Sequence, residues 1–540
     1  MKGFVTAIFT LLLFFAGLSP NESPGKDKGR TLRQGAAMAM IDPALLEAAQ
    51  HEEELDFLIV LKFQTALEDA FRYQQKEIKA EYVFNELRTT TEANQHALLS
   101  FLKGKASEVQ AYYIVNAIRV KGPATLLSEL AAMPVVKQLL ANPWLPLEQP
   151  QTTAAAQLRG PNEVEWGIQN IGADAVWEMG YRGAGVVIGG QDTGYDWQHP
   201  SLRDKYRGWN GTTADHAYNW HDAIREINPL HGDSTLEERN NPCGFNSPFP
   251  CDDGNHGTHT MGTMVGSTAD NRIGVAPEAR WIACRNMERG YGSPSTYLEC
   301  FEWFLAPTDL NNENPDPGKA PHVINNSWSC PEKEGCTAET FALLQRAVDN
   351  LKKAGTVVVV SAGNSGRDGC GSVRTPSAIF EESFTIGAST KEDSIASFSS
   401  RGPVEVDGSG RLKPNVVAPG VGVRSCIPNG GYASFSGTSM AGPHVAGLVA
   451  LLISARPALA GQVELIEDII EQTALKREAT LSCAGLALDA IPNASYGHGR
   501  VDALAAVNYL FDLLAPEGVA QLRAFPNPFG ESLRFEIQNI

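Results

Sequence analysis

Apolar positions along this chain change their period several times, and each change marks an element. Residues 55–63, LDFLIVLKF, form a short apolar run of strand length. Residues 90–104, TTEANQHALLSFLKG, space their apolar side chains for a helix that stops at a glycine. Residues 111–120, AYYIVNAIRV, predict one or two strands; 122–134, GPATLLSELAAMP, a helix; and 135–141, VVKQLLA, a strand. The order is β-α-β-β-α-β, a split βαβ unit. A stretch rich in Pro and Gln, NPWLPLEQPQTTAAAQ (142–157), breaks the pattern.

From about residue 162 the rhythm is different. GAGVVIGGQDTG, RWIACRNM, HVINNSWS, GTVVVVSAGN and SFTIGAST are short runs rich in Val and Ile. Helical stretches such as TFALLQRAVDNLKKAG separate several of them. Unbroken apolar strands alternating with helices predict an α/β domain whose parallel sheet is covered on both faces. Sites in such sheets gather at the carboxyl ends of the strands. Asp192, Asn325, Asn326 and the run from Ser361 to Asn364 fall there.

The two ends read differently again. Residues 1–19 hold one lysine and then an apolar run from Phe4 to Leu18, short for a membrane span and suited to an export signal. No later stretch is expected to span a bilayer. Residues 20–54 read as linker, and residues 515–540 as a Pro-Gly linker, a turn and an alternating strand, SLRFEI, too short to fold alone. The 540 residues carry 62 acidic against 44 basic side chains, a net charge of −18, which excludes nucleic acid as a partner. Nine cysteines, all from Cys243 onward, leave at least one unpaired, and the close pairs Cys243/Cys251 and Cys330/Cys336 are expected to bridge in an oxidising compartment.

Four residues at strand ends or helix starts carry candidate chemistry. Asp192 in QDTGYD suits an Asx turn or a carboxylate that orients a base. His256 in DDGNHGTHTMG suits a helix start, a general base, or a metal site with His259, Asp252 and Asp253. The three-residue spacing of the histidines differs from the four-residue, glutamate-containing zinc motif. Asn364 in VVVVSAGNSG suits a left-handed turn or an amide donor in a cleft. Ser439 in GTSMAGPHVAG suits a cap or a nucleophile whose own N–H sits at a positive helix end. Pro443 is expected in the first turn of that helix.

Taken together in the order Asp, His, Asn, Ser, the blocks DTGYDWQHPSL, HGTHTMGTMVG, SAGNSG and GTSMAGPHVAG resemble the signatures of subtilisin-like serine proteases. IGVAP, SFSSRGP, KPNVVAPG and YGHGRVDALAAV add to the resemblance, which covers about residues 162–508. FEWFLAPTDLNNENPDPGKAPHVINNSWS is similar to the bacillopeptidase F-like branch. The resemblance implies a three-layer α/β/α catalytic domain over 151–514, preceded by a small α+β ferredoxin-like inhibitory propeptide over 55–150. Within it, Asp192 orients His256, His256 is base and then acid, Ser439 is nucleophile, and Asn364 with the Ser439 amide meets the oxyanion. Ser327, Trp328 and Ser329, with Ser361, Ala362 and Gly363, are expected to bind substrate, and His259 and His444 to be structural. Self-cleavage is expected between about Pro146 and Gln157. Protein or peptide substrates follow, with apolar or broad preference, no cofactor for catalysis, and structural calcium undecided. The loop GSTADNRIGVAP lacks the family's extra calcium-binding segment, and the polar insertion at 215–250 has no counterpart in compact members. The tail FPNPFGESLRFEI resembles the start of a sorting domain for type IX secretion from a bacterial cell. The competing reading is an inactive adhesion or binding protein on the same fold.

Overall fold

The computed structural model describes residues 41–148, 150–153, 163–231, 241–328, 336–513, 521–525 and 534–538. Its first sheet contains β1 (Glu54–Leu61), β2 (Glu108–Tyr112), β3 (Ala117–Pro123) and β4 (Val136–Ala141). The strands are antiparallel in the order β2-β3-β1-β4, with α1 (Lys76–Leu102) and α2 (Leu126–Ala131) completing the split βαβ arrangement. Strand β1 is buried on both faces through its two-residue period. Phe57, Ile59 and Leu61 meet Leu98, Leu102 and Leu126, while Leu58 and Val60 belong to the core of the second half of the chain. Helix α1 begins at Lys76 rather than near Thr90. Its first turns are polar in sequence but bury Ala80, Val83 and Leu87 against that same second core.

Two short strands follow, β5 (Leu145–Pro146) and β6 (Gln151–Thr153). The second sheet holds β7 (Val187–Asp192), β8 (Trp220–Asp222), β9 (Arg280–Arg285), β12 (Val323–Asn326), β13 (Val357–Ser361), β14 (Phe384–Ser389) and β15 (Val416–Pro419). All seven run parallel in the order β15-β14-β13-β12-β7-β9-β8. Strand β5 pairs with the hairpin β10 (Met287–Glu288) and β11 (Tyr291–Gly292). Strand β6 pairs with the hairpin β16 (Val423–Ile427) and β17 (Gly431–Ser436). Strand β13 shows why the sheet needs cover on both sides: Val357 and Val359 enter one apolar cluster, Val358 and Val360 the other. Helices α3 (His256–Val265), α6 (Thr438–Ala455), α7 (Val463–Thr473) and α8 (Ala503–Leu513) supply the first cluster. Helices α4 (Pro294–Leu305) and α5 (Ala338–Lys353) supply the second, so the domain has three α/β/α layers. The outer face of the small sheet then packs on α4 and α5.

Two expectations are corrected here. Helix α6 starts at Thr438, so Pro443 lies inside the helix rather than in its first turn. Its ring nitrogen offers no hydrogen to the Ser439 carbonyl, which the Ser327 hydroxyl approaches at 3.5 Å instead. By length and composition α6 is also apolar enough to cross a membrane, contrary to the expectation that no later stretch is. Small residues let it run as the core helix, and 89% of it is buried inside the protein.

Disulfides join Cys243 to Cys251, Cys284 to Cys300 and Cys370 to Cys483. Cys426 is free and buried. Cys330 lies outside the described residues, as do the export signal at 1–19, Ser329 and part of the 215–250 insertion. In the tail, β18 (Gln521–Phe525) pairs antiparallel with β19 (Arg534–Gln538).

Candidate active site

Asp192 ends β7 and His256 opens α3; each is 1% exposed. Both Asp192 carboxylate oxygens lie 2.8 Å from His256 Nδ1. A carboxylate only accepts, so Nδ1 carries the hydrogen and Nε2 keeps its lone pair. Nε2 is buried and has no hydrogen-bond partner. The turn before His256 is tied down by Asp252. Its Oδ1 accepts from Thr193 Oγ1 at 2.8 Å and from the Gly254 N–H at 2.9 Å; its Oδ2 accepts from Thr258 Oγ1 at 2.6 Å. Thr193 in turn accepts from the Gly257 N–H at 3.1 Å. Burial raises the Asp252 carboxyl above its ordinary range against these bonds. Asp253 points elsewhere, into an ion pair with Arg285, and burial pushes its carboxyl up to about 7.

Ser439 is the second residue of α6 and is 4% exposed. It shares a cleft with Asn364, Ser327, Trp328, Ser361, Gly363, Thr375 and Thr438, and with Leu147 and Glu148 from the connection between the two sheets. Gly363, at a φ of +96°, turns the chain out of β13 so that Asn364 follows at the rim. Asn364 Oδ1 accepts from the Thr438 N–H at 2.9 Å and the Thr438 hydroxyl at 3.1 Å. That network assigns the amide's orientation and leaves its NH2 free to donate. Asn364 itself has a negative φ, so the left-handed-turn reading does not apply. Ser327 accepts from Ser361 Oγ at 3.2 Å and from Asn325 Nδ2 at 3.0 Å. Ala362, expected to bind substrate, is instead buried in the second apolar cluster, is not among the residues lining the cleft, and donates its N–H to the Ile386 carbonyl at 2.9 Å. The Trp328 ring stacks on Tyr297 with centroids 3.7 Å apart.

The two histidines expected to be structural are fully enclosed. His259 Nε2 donates to the Val423 and Ala433 carbonyls at 3.1 and 3.2 Å, and burial lowers its pKa to about 3. His444 Nδ1 donates to Met440 at 2.9 Å, and burial lowers its pKa to about 4. His259 therefore faces carbonyls rather than a ligand position shared with His256. Among the described residues no group of three or more His, Cys, Asp or Glu side chains is arranged to hold a metal ion. Reading the sequence missed Thr438 and Glu148, and named Asp252 only as a candidate metal ligand, whereas its carboxylate ties down the turn before His256. Thr438 stands beside Ser439 and Asp252 four residues before His256, but neither adjacency announces its partner.

The model of the subtilase family matches residues 183–499. Bacillopeptidase F of Bacillus subtilis strain 168 is 33% identical over 94% of this chain, and the match covers 35% of that protein's length. Subtilisin E of the same organism is 32% identical over 58% of the chain and 66% of its own length. The thermophilic serine proteinase of Bacillus sp. strain AK1 is 32% identical over 75% of the chain and 84% of its own length.

Proposed function

Since the chain belongs to the subtilase family, we propose that it is a serine endopeptidase acting through Asp192, His256 and Ser439. The observation that carries the proposal is the Asp192 carboxylate bound to His256 Nδ1, which leaves Nε2 as a free base. No hydrogen bond joins Nε2 to Ser439 in the resting arrangement; such bonds often tighten only with substrate in place. The Ser439 hydroxyl gives its proton to Nε2 as Oγ adds to the scissile carbonyl carbon. The resulting oxyanion is met by the Asn364 NH2 and the Ser439 N–H at the start of α6, both fixed before the charge develops. The imidazolium then protonates the departing amine, leaving an acyl-enzyme that water hydrolyses by the same steps. Base, orienter and nucleophile are all side chains, so the proposed chemistry calls for no cofactor. The substrates are proteins or peptides held along the walls at Ser327, Trp328, Ser361 and Gly363, with Ser329 next in sequence to Trp328.

The rest of the chain is read accordingly. Residues 55–150 are the inhibitory propeptide of the domain at 151–514, residues 1–19 direct export, and the tail from 515 serves type IX secretion. The packing of the small sheet on α4 and α5 supports the inhibitory role, because it brings residues 147 and 148 into the Ser439 cleft. An active-site serine phosphonate should label the matured protein at Ser439 and leave Ser439→Ala unlabelled. Labelling absent from a folded, matured sample would refute the catalytic reading.

A further inference from the structure

The path of the chain between the two sheets is pinned on both sides of Ser439. On one side β5 pairs with β11, and the Leu147 N–H donates to the Gly290 carbonyl at 2.6 Å. On the other side β6 pairs with β17, the strand that leads through Gly437 into Ser439. Only residues 148–150 lie between the Leu147 and Gln151 anchors. Of these, Glu148 lines the cleft with Ser439, Ser327, Ser361 and Gly363. Its carboxylate accepts the Asn364 backbone N–H at 3.2 Å. A hydrolase pocket beside its nucleophile receives the side chain on the acyl side of the bond to be broken. From this placement we infer that the enzyme first cuts its own chain between Glu148 and Gln149, and that its primary pocket takes a glutamate side chain.

The lining fits that occupant. Ser327, Ser361 and Thr375 contribute hydroxyls, Asn364 contributes a backbone N–H, and the Trp328 indole N–H is buried without a partner. Among the described residues lining the cleft, the only carboxylate is that of Glu148 itself. The Ser361 hydroxyl donates to Ser327 and the Ser327 hydroxyl to the Ser439 carbonyl. The donors left for a carboxylate are the Asn364 backbone N–H, the Thr375 hydroxyl and the Trp328 indole N–H, a polar set that departs from the apolar or broad preference expected from sequence. The inference rests on the catalytic reading above. Ser439 Oγ bonds to the Glu148 carbonyl carbon, the bond to the Gln149 nitrogen breaks, and His256 passes the hydroxyl proton to that nitrogen. Water then releases Glu148 as a free carboxylate and restores the Ser439 hydroxyl.

The test uses the full chain, sampled over time after purification, with both new termini read by mass spectrometry. The first N-terminal fragment should end at Glu148, the mature chain should begin at Gln149, and Ser439→Ala should remain uncut. Peptides acylating a fluorogenic amine and ending in Leu-Pro-Leu-Glu should be hydrolysed with kcat/KM about ten- to hundredfold above their Phe- or Lys-ending counterparts, the worth of one charge-assisted hydrogen bond. Glu148→Lys should slow or relocate the first cut, and the peptide comparison stands even where that variant does not fold. A Ser439-dependent first cut at another bond, or a preference for Phe or Lys, overturns this inference and leaves the catalytic reading intact. Cutting that persists in Ser439→Ala, or wild-type protein that cuts neither itself nor any peptide, overturns the catalytic reading as well.

Discussion

At the scale of single residues, the site depends on side chains that hold other side chains. Asp192 presents both oxygens to one imidazole nitrogen. An Asp192→Asn side chain can donate to Nδ1, which favours the wrong tautomer, and kcat should fall on the order of 10⁴ with the fold unchanged. Stopped-flow kinetics beside a circular-dichroism spectrum checks both halves of that statement. On the proposed mechanism Asn364→Ala removes one oxyanion donor, and kcat should drop by roughly 10²–10³ with KM nearly constant, the size known from subtilisin itself. Thr438 touches neither proton nor oxyanion in this scheme; it holds the Asn364 amide by two hydrogen bonds. Thr438→Val keeps the backbone bond and loses the hydroxyl, for an expected loss of up to about tenfold in kcat. In an Asn364→Ala background the same change should cost almost nothing, and additive losses in the double-mutant cycle would refute the positioning role. Asp192, His256, Asn364 and Ser439 stand out in sequence as candidates because each lies at a strand end or helix start within a dense motif. Thr438 does not, and Asp252 does so only as a candidate metal ligand, because the work of both consists of bonds to residues brought near by folding.

Among the elements, those whose pattern is set by their own neighbours were legible, and those set by distant partners were not. The Val-rich strands and the hairpin before β3 announce themselves in a few residues each. The first turns of α1 do not, because Lys76 and Lys79 are buried there for reasons that lie elsewhere in the chain. Lys76 Nζ donates to the Ala320 carbonyl at 2.9 Å and Lys79 Nζ to Gly461 at 2.7 Å. Burial lowers the Lys76 pKa to about 8. Helix α6 shows the converse case, in which the small residues are visible in sequence and only the structure says what they admit. A Cβ at Gly447 would stand 2.5 Å from the Val275 Cβ, so the helix reaches its position against that loop only with glycine there. Gly447→Ala should therefore destabilise the protein by about 1–3 kcal/mol through overpacking, despite the better helix propensity of alanine. Thermal unfolding of the matured enzyme checks the sign, and an unchanged or raised Tm would mean that the Val275 loop yields freely.

For the whole molecule, the question is how the small domain, whose connection at Leu147 and Glu148 enters the cleft, is held and, on the proposed propeptide reading, let go. Its sheet rests on α4, where two acidic side chains one turn apart receive it. Glu299 accepts from Gln110 at 2.7 Å and His221 at 2.6 Å and pairs with Arg225. Burial works against its charge, yet Arg225 and His221 outweigh that and hold the carboxyl near 2. Glu302 has no such cation at close range. It accepts the backbone N–H groups of Tyr113 and Ile114 at 2.5 and 2.9 Å, with Glu299 on one side and Arg88 farther off. Burial beneath the small domain dominates and pushes its carboxyl from 4.5 up to about 8. Once the domain leaves, Glu302 regains water and its ordinary value. Between pH 4.5 and 8 the docked state thus holds more protons than the separated one. Through Glu302, docking is strongest below that window and weakens as pH rises across it by up to about tenfold per pH unit. Above pH 8 the buried Lys76 amine, lowered from 10.5 to about 8, acts in the opposite direction and offsets part of the loss. After self-cleavage at one pH and a jump to others, gel filtration should show the N-terminal fragment retained at pH 5 and released at pH 9. Glu302→Gln keeps an acceptor for the two N–H groups without a charge, so its fragment should stay bound at both. If wild type and Glu302→Gln release the fragment with the same pH profile, another group governs the departure. If neither releases it at pH 9, the apolar contacts of Leu58, Val60 and Tyr112 with the second core suffice to keep the fragment docked.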